Sequence, residues 1–300
     1  MTAPLALFVY NRPWHTQQTV EALQRNELAA DTDIHIFSDA PKNASAARLV
    51  ADLRRYICSI RGFRSVTITQ REFNLGLADS IIDGVTRIVN RFGRVIVLED
   101  DLITSPFFLK YMNEGLDIYG ADNQVISVHG YTYPVSGTLP ETFFTRGADC
   151  WGWGTWKRGW DLFEHDSRKL LADLRRRGLE EEFNLDGAIN YVRMLERQIA
   201  GKNQSWAIRW HATAFILGAL TLNPGRSLVH NIGTDQSGTH CGKTDMFRTT
   251  LSERPITVNR IAVEESPVAR ELIKTFLETR RPSIRSRVIG KLWRFAGGMR

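Results

Sequence analysis

Three consecutive carboxylates, Glu99-Asp100-Asp101, follow an apolar run at residues 95–98. Adjacent acids repel one another, and at the end of a buried strand they are costly to hold unpaired. A divalent cation removes that cost. Mg2+ and Mn2+ prefer oxygen ligands and take few protein carboxylates, so phosphate oxygens and water complete the shell. A cation held there could bridge a diphosphate and neutralise it as a leaving group. Taken alone, the triplet would suit a solvated acidic turn better. The elements that carry it favour the first reading.

Those elements alternate. Apolar or β-branched runs at 5–10, 34–37, 66–69 and 95–98 read as strands, the last apolar throughout and so buried on both faces. Between them lie helical stretches: one opened by Pro13, one at 45–60, and one after Asn74-Leu75-Gly76. In the third, Ile81, Ile82, Val85, Ile88 and Val89 recur at helical spacing. This alternation predicts a parallel sheet with right-handed crossovers. Ligands of such open sheets bind outside the carboxyl ends of the strands. Asn11-Arg12, Asp39 and the acidic triplet all fall there.

The second half is less regular. The pattern predicts a helix at 106–119 and a buried strand at 125–128. Two charged helices follow in 167–200, broken near Gly178, then a helix from Trp206 to about 220 and a strand at 220–222. Residues 223–245, rich in Gly, Asn, Asp, Ser and Thr, read as a loop. The stretch at 150–160 is dense in Trp and Gly. Flat aromatics bind sugars through their CH faces, and glycines let backbone approach a ligand closely. Packing within the core would account for any single one of these tryptophans.

Composition narrows the class. The chain has 300 residues, 43% hydrophobic and 24% charged, which suits one large α/β domain or two small ones. Its net charge is +6, but residues 280–300 hold seven Arg and Lys and no acid, which leaves the body near −1. That argues against a nucleic-acid-binding face. In the tail, Ile284, Val288, Leu292 and Phe295 share one side of a basic amphipathic helix suited to an anionic membrane surface. Cys58, Cys150 and Cys241 are widely spaced and odd in number, which reads as a reducing, cytoplasmic compartment. The first apolar run is too short for a signal peptide, and no run of about 18 apolar residues occurs.

The order Phe8-Val9-Tyr10-Asn11-Arg12-Pro13, Phe37-Ser38-Asp39, Arg71-Glu72-Phe73-Asn74-Leu75-Gly76-Leu77 and Val97-Leu98-Glu99-Asp100-Asp101 resembles the GT-A fold glycosyltransferases. Among them it resembles N-acetylglucosaminyltransferase I and bacterial family-2-like sugar transferases of surface-polysaccharide pathways. The likeness is clear over residues 4–160 and weaker to about 245. It implies a mixed, mainly parallel sheet flanked by helices, over a 1–250 transferase domain, a 251–279 extension and the 280–300 tail.

It also implies a nucleotide-sugar donor, UDP-linked, and inverting, Mn2+- or Mg2+-dependent transfer to a glycan or lipid-linked acceptor. Asn11, Arg12 and Asp39 would hold the nucleoside, although Asp39 before Pro41 also suits a turn or helix cap. Arg71 and Asn74 would sit by the pyrophosphate or sugar. Asp101 would ligate the metal, and Glu99 and Asp100 would reach sugar and ribose hydroxyls. The 146–156 segment would be the acceptor-side loop, with Trp151 and Trp153 as its wall. His240 would be a further metal or phosphate ligand.

Relatives usually place a catalytic acid near the start of a late helix. The matching stretch, residues 203–210, contains no carboxylate. The base then falls to Asp149, which we prefer, or to Asp235, although either would also serve as a loop cap. Two other functions are compatible with such a sheet. A sugar nucleotidyltransferase would carry a Gly-rich loop after the first strand, where this chain has Asn11-Arg12-Pro13. A non-catalytic sugar- or nucleotide-binding protein would account for the missing acid.

Overall fold

The computed structural model describes residues 2–235 and 245–279. His240, the expected metal ligand, and the basic tail at 280–300 lie outside the described residues. Chain order runs β1 (Leu5–Val9), α1 (Pro13–Gln24), β2 (Asp33–Ser38), α2 (Ala44–Cys58), β3 (Ser65–Gln70), α3 (Leu77–Phe92) and β4 (Arg94–Glu99). It continues through β5 (Leu102–Thr104), α4 (Phe108–Ile118), β6 (Val125–His129), β7 (Thr142–Arg146), β8 (Trp153–Trp156) and α5 (Lys157–Trp160). Then come α6 (Ser167–Arg176), α7 (Glu180–Phe183), α8 (Tyr191–Ile199), α9 (Trp206–Ile216), β9 (Leu220–Pro224), β10 (Val229–Asn231) and α10 (Pro267–Thr279).

Among the described residues, eight strands form one sheet in the order β3-β2-β1-β4-β8-β6-β9-β7. Strands β1 to β4, β6 and β9 share one direction, while β7 and β8 run against them. Period-two alternation sorts the side chains. Leu5, Leu7, Ile96 and Leu98 face α1, α2 and α4, whereas Ala6, Phe8, Val95 and Val97 face α3 and α9. Helix α3 starts at Gly76 and stops at Gly93, both at positive φ, and lays Ile81, Val85, Ile88 and Val89 on the sheet. This is the mixed, mainly parallel sheet with flanking helices that the sequence predicts.

The second half differs in detail. The Trp/Gly stretch is not a loop: it contributes β8, an antiparallel strand between β4 and β6. Trp153 points to the α9 face and Trp156 to the other, where its indole N–H donates to Leu116 O at 3.0 Å. Gly154 lets α4 approach, since a Cβ there would lie 3.0 Å from Met112 Cε. Residues 223–245 contain β10, which pairs antiparallel with β5 directly after the acidic triplet. Strand β7 and helix α10 are further elements the pattern did not announce. Ile256 and Val258 enter the main core, and Ser266 N–H donates to Phe144 O of β7 at 2.9 Å. Among the described residues no helix is long and apolar enough to cross a membrane.

Gly84 of α3 sits over the stacked rings of Phe8 and Phe37, where an added Cβ would lie 2.6 Å from Phe8. Overpacking of this kind costs roughly 1–3 kcal/mol. Gly84→Ala should therefore lower the midpoint of urea unfolding with an unchanged slope. An unaltered midpoint would mean that the ring pair moves freely.

Candidate functional site

The connections from β1 and β4 diverge, and the crevice between their carboxyl ends is where open α/β sheets place ligands. The triplet and Arg12 meet there. One guanidinium nitrogen, Arg12 Nη2, bonds both Asp100 Oδ1 and Asp101 Oδ2, the latter at 2.8 Å. Asp100 and Asp101 are both buried. Tyr10 N–H donates to Asp100 Oδ2 at 3.4 Å, and the Thr19 hydroxyl donates to the Asp100 carbonyl at 2.9 Å. Glu99 continues the alternation of Val95 and Val97 onto the α9 face, where it accepts a hydrogen bond from the Trp206 side chain. From above, residues 231–233 cover Asp101: Ile232 N–H donates to its carbonyl at 2.9 Å, and Gly233 packs on its carboxylate.

Three acids share one arginine, and their electrostatics show it. Burial, with repulsion from Asp101 and Asp100, pushes Glu99 up to about 8. Burial also lifts Asp100, to about 6, against the pull of Arg12. For Arg12, burial opposes the charge, but Asp100 and Asp101 more than offset it and hold the guanidinium protonated. Arg12 Nη1 is buried without a hydrogen-bond partner among the described residues. The crevice is thus short of positive charge while holding a spare buried donor.

A divalent cation fits that deficit, with Asp101 as the carboxylate nearest the covering loop. Among the described residues no group of three or more His, Cys, Asp or Glu side chains is arranged to hold a metal ion. The chain's described residues would therefore supply a partial shell, with the remainder left to phosphate oxygens and water.

On the β2–β3 side the expected donor residues brace one another. Asp39 accepts from Ala40 N–H at 2.9 Å and Leu75 N–H at 3.0 Å through Oδ1, and from Gly76 N–H at 2.9 Å and Asn74 Nδ2 at 3.0 Å through Oδ2. Its carboxylate clamps the loop that opens α3. Arg71 turns inward, bonding Asp83 at 2.8 Å with its guanidinium over the Phe37 ring. Arg54, which the motifs do not mark, ties the strand ends together through Ser38, Asp39 and Arg71 carbonyls. Asn11 follows β1 at the rim and is partly exposed.

The remaining candidates separate. Trp153 is fully buried, stacked on Trp206 with ring centroids 5.2 Å apart. Trp151 is partly buried between Tyr131 and Phe247. Asp149 does not join the triplet cluster; its Oδ2 accepts from the Tyr133 hydroxyl at 3.2 Å, beside a cavity under α9. Asp235 Oδ2 meets His15 Nε2 at 3.1 Å, at the end of the covering loop.

The start of α9 does come to the crevice. Trp206 touches Glu99, and Gln204 lies 3.9 Å from where a Gly76 Cβ would stand. Nothing in the sequence ties Trp206 to Glu99; the contact depends on α9 lying across the sheet.

No protein-family model matches the chain, and no curated protein matches it in sequence. Among solved structures it is similar to residues 1–349 of S. aureus TarS, at 8% identity and a TM-score of 0.42, over 76% of this chain and 60% of that one. It thus spans three-fifths of that TarS fragment. A mannosyltransferase from Pyrobaculum calidifontis in complex with GDP-Man and Mn2+ shows 10% identity and a TM-score of 0.37, over 72% of this chain and 70% of that one. A candidate nucleotide-diphospho-sugar transferase from Desulfovibrio desulfuricans shows 15% identity and a TM-score of 0.33, over 59% and 77% of the two chains. Likeness this remote leaves the site to be read from its own residues.

Asp39→Ala removes the acceptor for four donors, two of them the N–H groups of Leu75 and Gly76. Leaving a buried donor unpaired costs about 1–3 kcal/mol, and these part-buried ones cost less. Hydrogen exchange at residues 74–77 should accelerate by at least tenfold, the equivalent of about 1.4 kcal/mol. Unchanged exchange there would show that the clamp is dispensable.

Proposed function

We propose that the protein is a glycosyltransferase that moves a sugar from a nucleotide-diphosphate donor, UDP-linked, to a glycan or lipid-linked acceptor with inversion. The observation that carries this reading is the convergence of Asp100, Asp101 and Arg12 in the β1–β4 crevice, with Glu99 directly beside them. The order of motifs along the first hundred residues supports it.

In this reading Arg12, expected at the nucleoside, faces the donor's diphosphate instead, because it is tied to Asp100 and Asp101, and its unpaired Nη1 is the donor available to a phosphate oxygen. Glu99 and Asp100 accept from hydroxyls of the sugar and ribose. Asp101 would hold a divalent ion, Mn2+ or Mg2+, which when bound would supply charge neutralisation at the diphosphate. The Asn74–Gly76 loop, clamped by Asp39, forms the wall on the β2–β3 side. Asp149 takes the proton of the acceptor hydroxyl, with Asp235 as the second candidate. A role in surface-polysaccharide or glycoconjugate synthesis would bring the basic tail at 280–300 to the inner membrane face.

Titration of the full chain with UDP and GDP, with and without Mn2+, tests this directly. Nucleotide diphosphate should bind more tightly with the metal. Asp101→Ala should abolish the metal-dependent part without unfolding the protein. Wild-type affinity in that variant would remove Asp101 from the metal site, and failure of any nucleotide diphosphate to bind would sink the transferase reading. Metal-dependent binding without donor hydrolysis or transfer would favour a non-catalytic nucleotide-binding protein, which the Gln204-Ser205-Trp206 start of α9 also suits.

A further inference from the structure

The far half of the sheet is built differently from the near half. Under α3 and the start of α9, the inward positions are Ala6, Phe8, Val95 and Val97. On β7 and β9 the same face carries Thr145, Thr221 and Asn223 beside Phe143, and Asn223 Nδ2 donates to Thr145 Oγ1 at 2.9 Å. Ile208 and Phe215 of α9 and Ile273 and Leu277 of α10 line the space over this floor without filling it. A cavity of about 210 Å3 remains above it, beneath α9 and walled by Tyr133, Tyr191 and Phe183. We propose that this cavity binds one neutral sugar ring of the acceptor, held by Asp149 and His211. The assignment rests on the transferase reading given above.

Size comes first. Sites for drug-sized ligands run to roughly 300–1,000 Å3. This cavity is smaller, so it takes a single ring rather than a chain.

Chemistry comes second. Asp149 Oδ1 accepts from Cys150 N–H at 2.7 Å and Oδ2 from the Tyr133 hydroxyl at 3.2 Å, which leaves each oxygen a further lone pair. His211 Nδ1 lies 2.8 Å from Ala148 O and 3.3 Å from Ala148 N; the shorter contact, to a carbonyl that can only accept, assigns the proton to Nδ1 and leaves Nε2 as an acceptor. Burial lowers the His211 pKa and keeps the ring neutral. The cavity therefore offers acceptors beside aromatic rings. Those match the O–H donors and the C–H face of a pyranose. Arg146 and Arg270 also line the cavity but are paired with Glu182 and Asp186, so a phosphate or carboxylate would still meet the Asp149 charge.

Position comes third. Cys150 and Ala207 bound the cavity on the β4 side. Ala207 adjoins Trp206, whose side chain reaches Glu99. The cavity thus stands beside the crevice through Ala207 and Trp206, on the side away from β2 and β3.

Saturation-transfer NMR on the full chain tests this, with the methyl pyranosides of glucose, galactose, mannose and N-acetylglucosamine as probes. At least one should bind. Its affinity should fall about tenfold or more in Asp149→Asn, which removes a charged acceptor, and also in the cavity-filling Thr221→Phe. Circular dichroism and UDP or GDP binding should remain as in the wild type for both variants. Three outcomes overturn the assignment: no pyranoside binds while nucleotide does, both variants bind the pyranoside as the wild type does, or tetramethylammonium displaces it. Pyranoside binding without any nucleotide binding would keep the cavity's ligand and reject the transferase reading.

Discussion

The pairing of one Arg12 nitrogen with both Asp100 and Asp101 joins the ends of β1 and β4 at the point where their connections part. The carboxylates leave a strand buried on both faces, so they cannot turn to water without breaking register. Unpaired, each would cost several kcal/mol. With Arg12 present the account still does not balance, and the excess appears as the raised pKa of Glu99 and Asp100. The rest of the neighbourhood is arranged around that imbalance. Trp206 reaches Glu99 from α9, Thr19 fixes the Asp100 backbone from α1, and residues 231–233 seal Asp101.

The division of the sheet into an apolar half and a polar half follows from what covers each. Helix α3 closes tightly over β1 and β4, helped by Gly84, and leaves no room for a ligand inside the layer. Past β6, the 147–150 segment lies between the sheet face and α9. Gly147, at positive φ, packs against the His211 ring so closely that a Cβ would lie 2.5 Å from it. That contact sets α9 at its height over the sheet, and the space beneath follows from it.

Much of this was legible in the residues. The first four strands and three helices follow from alternating periods of two and 3.6, because each element there buries one continuous apolar stripe. The triplet's place at a strand end came with them. The Trp/Gly stretch misled for a physical reason: Trp153 and Trp156 face opposite layers, and Gly154 is small to admit Met112 rather than a ligand. Asp39 reads as a free acid at a strand end until Leu75 and Gly76, more than thirty positions away, are seen to donate to it. The reach of Trp206 to Glu99 and the brace formed by Arg54 depend on tertiary placement that no local spacing encodes.

The close packing of Gly233 on Asp101 has a steric consequence. A single added carbon at that position would sit 2.0 Å from Asp101 Oδ2 and 3.0 Å from Arg12 Nη1. Backbone and incoming ligand therefore compete for the same few cubic ångströms. Space at Asp101 has to be made, by lifting residues 231–233 away from the Ile232 N–H bond to the Asp101 carbonyl. A ligand at Asp101 would therefore have to displace that segment as it enters.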